Sequence, residues 1–420
     1  MKFSFLLLLF ICINKVAFSS TINVGSQKSI KTIKHALQLA KQGDTIIVSK
    51  GIYKEGNIII DKKIYLQGIG TPILDGQKKN EIISIKANGV IVNGFKLIHS
   101  GISAIEDYAG IKLYDCSNVV ISNNILLDTY FGIYVQFGNN CKIINNQLEA
   151  FLMEEQQSGN GIHCWKSENI TIYGNKIKGH RDGIYLEFVT NSTITNNKSF
   201  KNIRYGLHFM SSNNNRYLSN YFINNGAGVA VMYSSQVQMV NNYFNENWGD
   251  AAYGLLLKDI RDSDIKGNIF DKNTSGIYME AVTRVKVEHN LFTNNGWAMK
   301  IQANCMDVNI TKNNFTSNSF DVGTNGNLVL NTFNNNYWDK YEGYDINKDK
   351  IGDIPYRPVS MYSMIVEQNP PAMMLFRSFI TTLLDKTEKL IPSITPENLV
   401  RRTVGPVGHR LRYVPPLPAL

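Results

Sequence analysis

The sequence predicts an all-β fold: a right-handed parallel β-helix solenoid with an N-terminal helical cap and a C-terminal amphipathic helical segment. Three observations carry the prediction. A Gly-apolar-x-apolar strand opener recurs at Gly110, Gly132, Gly161, Gly183, Gly206, Gly228, Gly254, Gly276 and, in degenerate form, Ala298. The spacings are 22, 29, 22, 23, 22, 26, 22 and 22 residues, the length of one coil holding three short strands. An asparagine stands fourteen residues after each of the first eight glycines: Asn124, Asn146, Asn175, Asn197, Asn220, Asn242, Asn268 and Asn290.

Each mark has a physical reason. Strands of successive coils pair at about 4.8 Å, so like positions stack into columns. Glycine permits the turn into the first strand, where a Cβ could force strain. A buried asparagine column can pass amide hydrogen bonds from coil to coil and satisfy turn backbone that is out of reach of water. Extra residues must bulge outward, so the long spacings place loops at residues 154–158 and 248–252.

Along the chain, residues 1–19 read as a secretory signal: Lys2, an apolar run from Phe3 to Ile13, and the small-x-small site Ala17-Phe18-Ser19. The run is too short to span a bilayer, and Phe10-Ile11 are too bulky for a lipobox at Cys12. Residues 20–75 form an N-terminal cap and first strands, with an amphipathic helix over 29–41 and strands over 45–48 and 57–60. The solenoid proper is expected over 76–340 and an irregular cap over 341–368. Residues 369–400 form an amphipathic docking segment opened by Pro370-Pro371, in which Met373, Met374, Phe376, Phe379 and Leu383 offer apolar surface to a membrane partner. Arg377 interrupts this segment, so it is not a spanning helix. Residues 401–420 are a basic, Pro-rich tail.

With 43% hydrophobic and 18% charged residues, the chain can build a core and a solvated surface. The net charge of +9, or +7 after loss of Lys2 and Lys15 with the signal, is spread along the chain. It lacks the aromatic-basic interleaving of a nucleic-acid binder. Cys116, Cys141, Cys164 and Cys305 do not pair in this register and read as small core or loop residues.

Alternation resolves each glycine-led strand by face. Positions one and three after the glycine are apolar and form the core. Position two reads Lys112, Tyr134, His163, Tyr185, His208, Ala230, Leu256, Tyr278, Lys300, and position four reads Tyr114, Gln136, Trp165, Glu187, Met210, Met232, Lys258, Glu280, Gln302. These point outward. An imidazole and two thioethers at His208, Met210 and Met232, helped by His163 or Glu187, form a soft donor set that suits cuprous copper held transiently. The alternative is a groove in which Met210, Met232 and Trp165 pack under a loop or partner. Asp345, Asn347, Asp349 and Asp353 follow the oxygen spacing of a calcium loop, although Lys350 replaces its glycine and Tyr356 its bidentate glutamate; the alternative is a solvated turn. Glu187 with His208, or His180, Arg181 and Asp182, could serve a polysaccharide lyase, epimerase or hydrolase, but no second carboxylate clearly opposes Glu187. A non-catalytic carbohydrate-binding or adhesive solenoid is a third reading.

Longer strings carry a resemblance. His180-Arg181-Asp182-Gly183-Ile184-Tyr185-Leu186-Glu187-Phe188, Tyr205-Gly206-Leu207-His208-Phe209-Met210-Ser211 and Gly228 through Met232-Tyr233-Ser234 resemble the NosD family of periplasmic maturation proteins of nitrous oxide reductase. Tyr253-Gly254-Leu255-Leu256-Leu257-Lys258, Asn295-Gly296-Trp297-Ala298, Asn336-Tyr337-Trp338 and residues 369–390 continue it. The resemblance implies a non-enzymatic protein in the periplasm, peripheral to the inner membrane through an ABC transporter permease and its ATPase. It also implies partnership with a copper chaperone lipoprotein and with nitrous oxide reductase, whose copper-sulfur centre the family helps assemble during denitrification. The family supplies no ligand motif, so the copper residues stand on the columns alone, and residues 401–420 match nothing in it.

Overall fold

The computed structural model describes residues 20–391 apart from 104, 152, 153, 327 and 329; the expected signal over 1–19, the end of the 369–400 segment and the 401–420 tail lie outside the described residues. The described strands form three parallel sheets of 14, 12 and 13 strands, each strand paired with the equivalent strand one coil before and one coil after. This is a parallel β-solenoid, and its coils are already running by the strand Thr21–Val24, which pairs with Thr45–Ser49. The glycine-led strands make the 12-stranded sheet. In it Ile133 pairs with Ile162, Ile184 with Leu207 and Val229 with Leu255, all fully buried.

The glycines have a different cause from the one expected. Those at 110, 132, 161, 183, 206, 228, 254 and 276 do not have positive φ. They are small because two things crowd them. A Cβ at Gly132 would lie 2.4 Å from the Gly161 carbonyl oxygen and 2.4 Å from Leu148 Cδ2. The same second contact recurs with Leu126 at Gly110, Phe222 at Gly206 and Phe244 at Gly228. The glycine column is therefore the seat for an apolar column from the 13-stranded sheet, which becomes a ring stack of Phe244, Phe270, Phe292 and Phe315 with centroids 4.6 to 4.9 Å apart.

The asparagine column forms as expected. Asn220 Oδ1 accepts from the backbone N–H and the side-chain amide of Asn197 at 2.9 and 3.0 Å, while Asn220 Nδ2 donates to Ile194 O and to Asn242 Oδ1. The same pattern runs from Asn124 to Asn290 and onward through Asn313 to Asn336. At the next corner a second ladder runs through Asn202, Asn225, Asn247, Asn273, Asn295 and Asn318. Each ladder residue follows a corner residue of positive φ, such as Asn123, Asn145 and Asn196 before the first ladder and Lys201 and Asn224 before the second.

The ends are closed by other means. Helix α1 (Ile33–Leu39) is shorter than the predicted 29–41, because the Thr32 side chain caps it and Glu55 accepts from the N–H groups of Ile33 and Lys34. Before it, Ile30 bridges to Val24 in extended form. At the far end α2 (Met361–Gln368) lies on the last glycine-sheet strands, with Tyr362 beside Phe320 and Glu367 paired to Lys300 at 2.7 Å. The C-terminal segment is two pieces: a 3-10 turn over Pro370–Leu375, then α3 (Phe379–Leu390), separated by Arg377 at φ 60° and capped by Ser378. No described helix is long and apolar enough to cross a membrane. The cysteines at 116, 141, 164 and 305 are free and buried.

His180 occupies the second-ladder position one coil before Asn202, whose Oδ1 accepts from the His180 N–H. Its ring is fully buried, and burial, opposed only by the nearby Gly159 backbone, pushes its pKa down to about 4 from an ordinary 6.5. Between those two values the unfolded chain binds a proton that the folded chain refuses. Folding stability therefore falls as pH drops from 6.5 toward 4, by up to about 3 kcal/mol from this group. His180→Asn, which can extend the ladder, should raise stability and flatten that stretch of the profile; urea midpoints at pH 7, 5.5 and 4.5 check it.

Candidate functional site

The outward face of the glycine-led sheet holds the chemistry, but its first column is not open. His163 and His208 are buried, as are Lys112 and Tyr134, because the rings at this position stack on one another. Tyr134, His163, Tyr185 and His208 follow at centroid distances of 4.5, 4.7 and 4.6 Å, and Tyr205 closes the end at 4.9 Å from His208. His163 and His208 therefore stand on opposite sides of Tyr185, two coil steps or roughly 9.6 Å apart. They do not share a ligand position.

Asp182 organises the His208 end. Its carboxylate is fully buried and takes both Arg204 nitrogens, Nε at 2.9 Å and Nη2 at 2.6 Å, together with the Tyr205 N–H at 3.3 Å. His208 Nδ1 lies 3.3 Å from its Oδ2. Burial alone would raise the Asp182 pKa; the Arg204 and His208 contacts overcome it and bring it down to about 2. An ionised carboxylate only accepts, so Nδ1 of His208 carries a hydrogen, and Nε2 is the nitrogen with a lone pair to offer a metal whenever the ring is uncharged. That Nε2 is buried and has no hydrogen-bond partner. A carboxylate holding the far nitrogen of an imidazole is the arrangement that orients a histidine toward a metal.

The second outward column is half-buried. Met210 pairs in register with Glu187 on one side and Met232 on the other, and Met232 pairs with Lys258. His208 and Met210 share the strand Tyr205–Met210. The thioethers thus lie between two charged groups already engaged. Glu187 Oε2 is 3.7 Å from His163 Nε2, which holds its carboxyl below the usual range, while Lys258 pairs with Glu280 at 3.3 Å. Of the predicted copper residues, the structure places His208 two residues from Met210 on one strand, with Met232 in register beside Met210 and Ala230 beside His208, and sets Glu187 next to His163. Among the described residues no three His, Cys, Asp or Glu side chains cluster as a metal site, so any copper site here depends on the thioethers.

Two expectations are corrected. The loop with Asp345, Asn347, Asp349 and Asp353 is not supported as a calcium site, because its oxygens are spent on its own backbone. Asp345 accepts from the N–H groups of Asp349 and Lys350, Asn347 from Asp349, Asp349 from Ile351, and Asp353 from Ile346. In the segment expected to dock, Phe376 turns against Phe320 at 5.6 Å and joins the end cap. Met374 and Phe379 remain 90% and 80% exposed, with Leu383 and part of Met373 also outside. As for catalysis, Asp182 is closed off between Arg204 and His208, and Glu187 lies beside His163 at 3.7 Å.

Comparison with known proteins gives matches over this part of the chain. The model of a family described as periplasmic copper-binding protein (NosD) matches residues 147–350, a stretch that contains His163, Asp182, Glu187, Arg204, His208, Met210 and Met232. A protein of Pseudomonas aeruginosa named "Probable ABC transporter binding protein NosD" is 26% identical over 358 residues, covering 81% of this chain and 83% of its own. One of the same name from Stutzerimonas stutzeri is 26% identical over 361 residues, covering 81% and 82%. The chain is NosD-like. Among solved structures, the catalytic unit of a GH87 alpha-1,3-glucanase from Streptomyces thermodiastaticus superimposes with a TM-score of 0.52 at 13% identity, covering 69% of this chain and 61% of its own. At that identity the likeness is one of fold.

Within the NosD-like chain, Asp182 and Arg204 are the residues that column reading left outside the copper set. They lie at the corner before the glycine, off the alternating strand pattern, and meet His208 only across coils. Asp182→Asn should cost about 3 kcal/mol, since it removes the buried negative charge facing Arg204 and puts an NH2 donor in place of one of the two oxygens that accept from Arg204 and His208. It should also shift the His208 imidazole nitrogen resonances as the fixed tautomer is lost; chemical denaturation and nitrogen NMR at pH 7 check both.

Proposed function

We propose that this NosD-like chain is a periplasmic accessory protein, not an enzyme. It takes up cuprous copper as cargo and supports assembly of the copper-sulfur centre of nitrous oxide reductase, working with an ABC transporter permease and ATPase and a copper chaperone lipoprotein. The observation that carries the reading is the His208 environment: a buried imidazole held by Asp182 through Nδ1, its Nε2 unpartnered, beside two thioethers in register. Those residues fall inside the stretch matched by a family described as copper-binding and periplasmic. Its relatives are named for binding an ABC transporter.

His208, Met210 and Met232 would hold the ion. One nitrogen and two sulfur donors match the preference of cuprous copper for soft ligands, and a three-donor site leaves one side for a receiving protein's ligand. The flexible thioethers can follow the ion outward, while the Asp182-held imidazole stays in place. The open side of α3, with Phe379, Ile380 and Leu383 facing solvent, would dock the transporter.

Replacing Met210 and Met232 together by Leu keeps bulk and apolarity but removes both sulfurs. The double variant should fold with an unchanged Tm, bind cuprous ion at least tenfold more weakly in competition with a chromophoric chelator, and fail to mature the reductase in cells. Equal affinity in variant and parent would place copper elsewhere.

For the membrane-side contact, Phe379→Lys with Leu383→Lys should leave the Tm of the β-solenoid unchanged and abolish co-purification with the permease. Retention of the permease at parental yield would remove α3 from the interface.

A further inference from the structure

We propose that a small cavity beside the first coils of the glycine-led sheet is a binding site for a neutral pyranose sugar ring, held between Glu81 and Lys112. The site stands apart from the copper reading. Lys112 and His208 share one column but lie four coil steps, roughly 19 Å, from each other.

Two long connections build the cavity. Between Leu127 and Phe131 the chain enters the glycine-led sheet through residues 128–130 alone. One coil earlier the same connection takes residues 99–108, and one coil before that residues 76–82. Asn80 and Glu81 come from the shorter of these insertions, Glu106 and Tyr108 from the longer. With Lys112 and Tyr114 on the sheet they line a space of about 130 Å³. That is well below the size of a site for drug-sized ligands and suits a single six-membered ring.

The cavity is walled by charges that the fold does not pair. Glu81 and Lys112 are only 4% and 8% exposed, and side chains of these types are rarely buried unless they are paired. Among the described residues no ion pair joins them. Glu81 is met by the hydroxyl of Ser84 and by that of Tyr114, which lies 3.2 Å from both carboxyl oxygens. The Lys112 ammonium meets the Asp107 carbonyl at 3.4 Å and the rings of Tyr114 and Tyr134 at 5.0 and 4.8 Å. Burial pushes the Glu81 carboxyl above its ordinary range, more than the Ser84 hydrogen bond and the Lys112 charge pull it down. A carboxyl and an ammonium are thus kept dry and separate around one small space, at a cost that a bridging ligand offsets.

The lining selects the ligand. Glu81 and Glu106 disfavour an inorganic anion, and Lys112 disfavours a bare cation. A neutral polyhydroxy ring satisfies both, because each hydroxyl donates one hydrogen bond and accepts others. Tyr108 and Tyr114 add apolar ring surface for its C–H groups. Asn80 and Glu106 are exposed, so the ring can enter without any coil opening.

The test titrates the full chain calorimetrically with methyl α-glucoside, methyl α-mannoside and methyl α-galactoside, with glycine as a zwitterion control and inorganic phosphate as an anion control. The parent should bind at least one glycoside and neither control. Glu81→Gln and Lys112→Met keep side-chain length and should each weaken that binding roughly tenfold. Tyr108→Ala lies on the surface connection and removes no buried charge, so it should weaken binding while leaving the Tm unchanged, which separates lost recognition from lost folding. Cuprous affinity should be the same in the parent and all three variants, so failure of this site and failure of the Met210 and Met232 site give different results. Absence of glycoside binding by the parent, binding unchanged in the three variants, or tighter binding of glycine or phosphate than of any glycoside would overturn the proposal.

Discussion

Each ladder asparagine meets two demands at once. A three-sheet solenoid must turn its chain at every corner, and each turn leaves peptide groups inside the protein without a strand partner. An asparagine side chain placed at the corner accepts from the N–H and amide of the coil before it and donates to a carbonyl and to the next asparagine. Each such bond is worth about 1 kcal/mol net, but leaving the turn unsatisfied would cost more per group. The ladder also allows one register only, since a slipped coil would lose amide contacts on both sides. Everything on the outer faces inherits that register.

The aromatic and thioether columns are the consequence. With coils locked step by step, side chains at one strand position stand a fixed distance apart, and neighbouring strands can be chosen to juxtapose chemistry that is far apart in sequence. Asp182 and His208 are 26 residues apart and meet because the ladder fixes the step between their coils. The same rigidity separates His163 from His208, with Tyr185 wedged between them. A rigid scaffold would suit the proposed transfer of an ion, because the Asp182-held imidazole keeps its orientation.

Strain is unevenly placed in this solenoid. Most left-handed corner positions carry Asn, Asp, Gly, Ser or a solvated Lys, which tolerate them cheaply or extend into water. At one corner three of them are aromatic, Phe137, Phe188 and Tyr233. At the two ends the solution is different: Thr32 and Glu55 close α1 over the first coils, and the Phe320, Tyr362 and Phe376 cluster seals the last. Both ends thereby cover strand edges that would otherwise template another chain.

By itself the sequence determined the repeat. The coil length, the fourteen-residue interval from glycine to asparagine, the core columns and the register of Met210 beside Met232 were all legible, because each depends on spacing along the chain. The second ladder was equally legible in the spacing of Asn202, Asn225, Asn247, Asn273, Asn295 and Asn318, yet it sits next to variable corner residues that obscure it. The reason for the glycines was not legible, because it lies in a carbonyl of the next coil and an apolar side chain from another sheet. Nor could spacing tell that the outward histidines are buried, that Glu187 lies beside His163, or that Asp182 orients His208. Those facts depend on which corner side chains fold over the face and how rings stack across coils. Contacts of that kind are decided by three-dimensional proximity and competition for the same partner, and only the assembled tertiary structure fixes them.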